Sequence, residues 1–466
     1  MKKNTLFSLL LAAGMVALPS LVNAQAKVTL TTAKAAGSEF SFVTNPGKIT
    51  VDWGDGNVEE LSATGEPVKG NLKGQTVTIT SDNLWLLDCS SNELTNLSVV
   101  DATDLQTLYC SNNSLKALSV GSRSLKDLDC SGNELASLSL LLYKDLRSLN
   151  CSDNNIVSLS LNYQTELETL ICSDNKLSSL IVSKSPNLKV LWCQNNSLKS
   201  LDLSSNAALE SLVCDNNEIS SLNIQNCTGI VDFWCDNNQL ESINLQNNLK
   251  LETFSCSNNV VSSLNVPAIK RPDKALAFYC DGNKLTFSAM HTWDNILNEA
   301  NAAFGPQVFP LSESEIKVGK TITVGGMSLN LDGDAVYPKY EWKNGEIVLE
   351  KGSKGDYTAR SNIFSFNKPF ESIVCEVTST EYPGVILTSS PLKVFSTETS
   401  IQDIMDAYGF SYITNNGVIT MKSEQPYRVN IYTTDGKQVW SGWVSGEERV
   451  NLGHGIFLVN GMKISL

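Results

Sequence analysis

Histidine is nearly missing from this chain: among 466 residues there are two, His291 and His454. They fall in segments of different composition. A histidine-based triad, a histidine dyad and a histidine metal site are thereby excluded. Long apolar runs are missing after residue 24, which excludes a helix that spans a bilayer further along the chain. Positive charge is scarce. The 35 Lys and Arg against 49 Asp and Glu give a net charge of −14, which argues against nucleic acid or an anionic membrane as partner. No glycine-rich phosphate loop follows a strand pattern. Carboxylates are abundant, but nothing in the sequence sets two of them in one pocket as a glycosidase would need. The expectation is a protein that is not an enzyme and carries no metal and no cofactor.

At the start, Lys2-Lys3 precede an apolar run over residues 6–21 and then Val22-Asn23-Ala24. This reads as a secretory signal (1–24) cut before Gln25. No cysteine follows the run, which argues against a lipid anchor. The expected location is outside the cell, secreted or on the cell surface.

What is present in abundance is periodicity. Cys89, Cys110, Cys130, Cys151, Cys172, Cys193, Cys214, Cys235, Cys256 and Cys280 recur at intervals of 20, 21 and, at the end, 24 residues. Three residues after each stands an asparagine: Asn92, Asn113, Asn133, Asn154, Asn175, Asn196, Asn217, Asn238, Asn259 and Asn283. A fixed period of this length is the signature of a solenoid.

The unit around Cys193 reads Leu188-x-x-Leu191-x-Cys193-x-x-Asn196-x-Leu198-x-x-Leu201-x-Leu203. Around Cys151, apolar residues fill the same offsets with Leu146, Leu149, Ile156, Leu159 and Leu161. The pattern resembles the leucine-rich repeat, with cysteine in the third leucine's place, over residues 84–290. It is most similar to the cysteine-ladder repeats of internalin-type bacterial surface proteins. Residues alternate inward along L-x-x-L-x-C as in a strand. The asparagine turns the chain, and its amide is expected to serve its own turn and the next. Adjacent parallel strands lie about 4.8 Å apart with equivalent side chains parallel, a poor disposition for disulfides. The cysteines are therefore read as buried, free thiols.

The flanks have other compositions. Residues 25–83 are expected to form a β cap, with strands at 27–32, 39–43, 48–53 and 75–80. Asp52-Trp53-Gly54-Asp55-Gly56 reads as a tight turn, with Asp52 and Asp55 as weaker candidates for calcium. The repeats are interrupted by a proline-bearing excursion at 266–272. Residues 291–303 have helix-forming character within a C-terminal cap and linker (291–308). Residues 309–397 carry strand candidates at 320–324, 339–342, 373–378 and 391–395. Trp342 and Cys375 there resemble core positions of an immunoglobulin-like sandwich that lacks the partner cysteine. Residues 398–466, with a strand into Asp435-Gly436 and then Gly455-Ile456-Phe457-Leu458-Val459, resemble the sorting domain of type IX secretion cargo. The resemblance as a whole is to a Bacteroidetes secreted leucine-rich repeat protein. It implies a mainly β fold: a solenoid with a parallel concave sheet, flanked by the β cap, the Ig-like domain and a small β-sandwich.

Such a solenoid offers the residues between its inward leucines to solvent. Just before the cysteines stand Tyr109, Ile171, Trp192, Val213, Trp234 and Tyr279. Four residues before them stand Arg147 and Lys189, with Glu210 and Glu252 expected on the opposite border. Exposed aromatics are enriched at binding hot spots. These eight residues, Tyr109, Arg147, Ile171, Lys189, Trp192, Val213, Trp234 and Tyr279, are the candidate site for a protein partner. Alternatives are a glycan, stacked on Trp192 and Trp234, or a surface spacer without a ligand; the C-terminal domain is a candidate surface anchor in each case.

Overall fold

The computed structural model describes residues 25–266, 277–290, 302–325, 327, 329–331, 334–336, 338–382, 385–396, 409–460 and 462–465. The expected signal (1–24), most of the proline excursion (266–272) and most of the expected helix (291–303) lie outside them. The chain divides into two compact units. One holds the described residues up to Phe309, with 326–338 and 378–387. The other holds Pro310–Gly325, Lys339–Val377 and Thr388–Leu466.

The first unit is built around a leucine-rich repeat solenoid. Each of the ten ladder cysteines is preceded by a three-residue strand, from Leu86–Asp88 through Val190–Trp192 to Ala277–Tyr279, and the strands pair in parallel, in register, one per turn. Leu191 and Cys193 are buried on one side of such a strand while Trp192 between them lies on the other, as strand alternation requires. One repeat cannot shield its own apolar face. Stacking supplies the cover, so the core is a continuous row of Leu, Phe and Cys.

The asparagines tie neighbouring turns together, in the direction opposite to the expected one. The Asn196 amide donates to the carbonyls of Cys193 and Gln194 in its own turn, and to Cys172 in the turn before. Its Oδ1 accepts from Leu177 N, also one turn earlier. Each asparagine thus serves its own turn and the preceding one.

The two ends of the ladder are closed by different residues. At the start, the Asn92 amide donates to Ser41 O at 2.7 Å, because the strand Glu39–Thr44 pairs antiparallel with Leu86–Asp88 and stands in for a missing turn. Asn45 completes this mimicry: its Oδ1 accepts from Trp85 N and Leu86 N. In the interior that role belongs to a main-chain carbonyl, as when Gln106 N and Thr107 N both donate to Trp85 O. At the other end, the strand Ala302–Ala303 pairs with Phe278 and Tyr279. These two residues were expected to be helical. Gln307 then takes the asparagine's place: Nε2 donates to Cys280 O and Phe304 O, and Oε1 accepts from Leu285 N. A partial further turn therefore follows Cys280.

Residues 26–81 form six strands, four of them close to the expected segments. Val58–Ala63 and Val68–Asn71 escaped the reading, because each is largely exposed and short of apolar residues. Trp53 is buried on Gly70; a Cβ there would lie 2.4 Å from the ring. Asp52 Oδ1 accepts from the amides of Gly54, Asp55 and Gly56, so the motif is a turn held by its first aspartate.

In the second unit, Phe370–Thr378 pairs antiparallel with Leu392–Phe395, and Thr321–Thr323 with Ile363–Phe366. Trp342 and Cys375 are fully buried, and Trp342 packs edge-on against Phe364 and Phe366. Towards the C-terminus, the strands Val418–Thr433 and Gln438–Asn451 form a long hairpin, joined by Ile456–Val459 and Met462–Ser465 around a core that includes Ile431, Val444 and Phe457.

Candidate functional site

The strand register decides what the outward residues do together. The position before each cysteine forms one continuous row: Asp88, Tyr109, Asp129, Asn150, Ile171, Trp192, Val213, Trp234, Ser255 and Tyr279, each paired with the next. Trp192 and Trp234 are thus separated by a single strand, on which Val213 stands.

Six of the eight candidate residues, Tyr109, Ile171, Trp192, Val213, Trp234 and Tyr279, lie in this row, but they are not equivalent. Ile171 and Val213, expected as exposed anchors, are each only 7% exposed. Each is paired in register with the larger Trp192, and neither presents itself to solvent. Trp192 is half-buried, and its Nε1 donates to Ser211 Oγ at 3.1 Å, one strand further on. Trp234 and Tyr279 face each other across the strand of Ser255, ring centroids 6.4 Å apart and planes inclined by 24°. Ser255 beneath them is buried. The aromatic residues therefore form a partly self-supporting strip with half-buried rings.

Tyr109 sits apart, near the first turns. Burial raises its pKa first, and the carboxylates of Asp127, Asp129 and Asp88 raise it further. Arg147 and Lys189 are in another row, four residues before the cysteines. Successive amides there donate to the residue one turn earlier: Arg147 to Lys126, Glu168 to Arg147, Lys189 to Glu168, Glu210 to Lys189. Basic and acidic residues therefore follow one another along a single edge, and the expected placement of Glu210 and Glu252 on an opposite border is corrected. Lys189 Nζ lies 2.6 Å from Glu168 Oε2, and this hydrogen bond raises its pKa.

The thiols take no part in this surface. All twelve cysteines are free and buried. Burial pushes the Cys151 and Cys193 thiols up to about 12, and lifts Cys110, Cys130 and Cys172 well above the ordinary value. A thiol so held is neither a nucleophile nor a metal ligand at neutral pH.

Two features of the ladder escaped the sequence reading. The residue two after each ladder cysteine is left-handed, including Asn112, Asp153, Asn195 and Asn216, with φ of 52–56°. The run of Asn, Asp and Gly at that position was the available signal. A second buried column, Ser122, Tyr143, Gln164, Ser185, Asn206, Cys227 and Asn248, recurs every 21 residues and closes the opposite turns. Asn206, for example, donates to Val182 O and Ser185 O. Its changing residue type hid the period.

No family model matches this chain, and no curated protein matches it. Solved structures do resemble it. The functional domain of InlJ from Listeria monocytogenes, described as including a cysteine ladder, is 18% identical over 68% of this chain and 93% of its own, with a TM-score of 0.35. YopM, a leucine-rich effector protein from Yersinia pestis, is 25% identical over 49% of this chain and 63% of its own, with a TM-score of 0.39. A chain from an octameric complex of Latrophilin 3, Unc5D and FLRT2 is 21% identical over 50% and 80%, with a TM-score of 0.38. The leucine-rich repeat fold itself is carried by the register of the strands and the asparagine ladder described above. Among the described residues, no helix is long and apolar enough to cross a membrane.

Proposed function

We propose that this is an extracellular recognition protein that binds a protein partner on the concave sheet of its repeats. The observation that carries the reading is the strip made by Trp192, Trp234 and Tyr279: half-buried rings on alternate strands of one parallel sheet. Rings prevented from moving by their neighbours lose little entropy when a partner covers them, and Trp and Tyr are the residues most often found at hot spots. Tyr109, Arg147 and Lys189 extend the surface towards the first turns, and Ile171 and Val213 pack beneath. Residues 309–397 are read as an Ig-like spacer and 398–466 as a sorting or anchoring domain, with export through the signal at 1–24.

The test uses the full exported chain and its Trp192→Ala/Trp234→Ala variant on intact cells treated, or not, with protease. Saturable binding that protease removes and the variant lacks, with the melting transition shifted by less than about 3 °C, supports the reading. Binding that survives protease but is lost after glycosidase treatment points to a glycan. Equal loss of binding and stability shows that the tryptophans only shield the sheet.

A further inference from the structure

The later turns of the solenoid carry a charge pattern that narrows the partner. In the four turns that hold Val213, Trp234, Ser255 and Tyr279, the stretches 210–215, 231–236, 252–257 and 277–281 contain six carboxylates and no lysine or arginine. Register sorts the six into two edges. Glu210, Asp232 and Glu252 stand three or four residues before the cysteines. Asp236 and Asp281 stand directly after them, in line with Asp215, which is itself buried. The aromatic strip lies between. The second edge is fixed in place by hydrogen bonds: Asp215 Oδ1 accepts from Asp236 N at 2.9 Å, Asp236 Oδ1 from Ser257 N at 2.7 Å, and Asp281 Oδ1 from Ser257 Oγ at 2.6 Å.

Accepting the concave face as the docking surface proposed above, we propose that its later half takes a cationic protein segment, an extended stretch bearing arginine or lysine side chains. The geometry suits such a ligand. An indole or phenol face attracts a guanidinium or ammonium group within about 6 Å, and carboxylates on both flanks strengthen the attraction where water is excluded. From the first edge to the second is four or five residues along a strand, about 13–17 Å, wide enough for a chain to lie on the rings and extend side chains to either edge. An acidic segment would be repelled from both sides at once. The earlier half differs: Lys126, Arg147 and Lys189 stand in its outer row, so the preference belongs to the later turns.

The experiment measures fluorescence anisotropy of two labelled peptides of equal length, one alternating arginine with glycine, the other glutamate with glycine. Each is titrated with the full chain at low and at physiological salt. The proposal predicts saturable binding of the arginine peptide, weakened by salt. It predicts a further loss of about tenfold in Trp234→Ala and in the triple variant Glu210→Gln/Asp232→Asn/Glu252→Gln. A matched triple variant on the turns, Asp145→Asn/Glu166→Gln/Glu241→Gln, keeps the wild-type affinity and controls for net charge. Arginine-peptide binding that is equal in both triple variants overturns the proposal. So does binding of neither peptide, whatever the cell-binding test shows. Binding of the glutamate peptide that Trp234→Ala abolishes would retain the docking face and overturn the cationic partner.

Discussion

The side-chain amide of Asn196 donates to the main-chain carbonyl of Cys172, one turn earlier, at 3.0 Å. The same amide serves Cys193 and Gln194, so one NH2 group bonds to carbonyls in two turns. Asn196→Asp keeps the size and the acceptor that Leu177 N uses, but removes both donors. The expected cost in a chemical denaturation curve is about 2–4 kcal/mol. Asn196→Asp with wild-type stability would mean that the amide ladder is incidental.

The buried thiols differ in what surrounds the sulfur. Cys235 Sγ lies 3.3 Å from Ser255 O, within reach of an acceptor, whereas no such contact is found for Cys193 among the described residues. Serine at 193 buries a hydroxyl without a partner and is expected to cost about 1–3 kcal/mol. Serine at 235 can donate to the carbonyl and is expected to cost less. Equal midpoints for the two variants would contradict this.

Asn216 is left-handed, with φ of 54°. Glycine adopts that conformation freely, and a β-branched residue does not. Asn216→Gly is expected to stay within about 0.5 kcal/mol of wild type, and Asn216→Val to lose about 1–2 kcal/mol. Thermal melts of the pair provide the comparison, and the order Gly above Val is what the backbone demands.

Alkaline pH acts on the whole ladder at once. Burial raises the thiols of Cys151 and Cys193 from 9.0 to about 12. Between those limits an unfolded thiol has lost its proton while the folded one retains it, so the folded state binds more protons and stability falls as pH rises. Each thiol contributes a slope of up to about 1.4 kcal/mol per pH unit. Stability should be level between about pH 6 and 8 and drop steeply above about pH 9, with Cys151→Ala/Cys193→Ala showing a shallower fall. Denaturant midpoints across this range give the slope directly, and a flat profile would place the thiols in water.

Much of the fold was legible because a repeat writes the same constraint many times. Leu191, Cys193 and Asn196 each have counterparts in the neighbouring turns, and a pattern seen so often cannot be a local accident. The ends were harder. Asn45 and Gln307 replace a missing turn with a single side chain, and nothing in their immediate surroundings announces this. The row of candidate residues was legible as a row, since alternation alone places Trp192 and Val213 on one face. Their exposure was not, because cover comes from the size and lean of neighbours on other strands. Ile171 and Val213 look like anchors in the sequence and are almost fully buried in the structure. The charge edges were misplaced for a related reason. Spacing from the cysteine fixes which row Glu210 occupies, but the row runs along the solenoid rather than across it.

The central claim is that successive repeats stack so that the cysteine column is sealed inside and the tryptophans stand on the opposite side of the same strands. Native-state labelling with a bulky maleimide, counted by peptide mass spectrometry, tests it most directly. The account predicts that Cys89 through Cys280 remain unmodified in buffer over hours and react together once denaturant passes the unfolding midpoint. Rapid modification of most of them in buffer would contradict it.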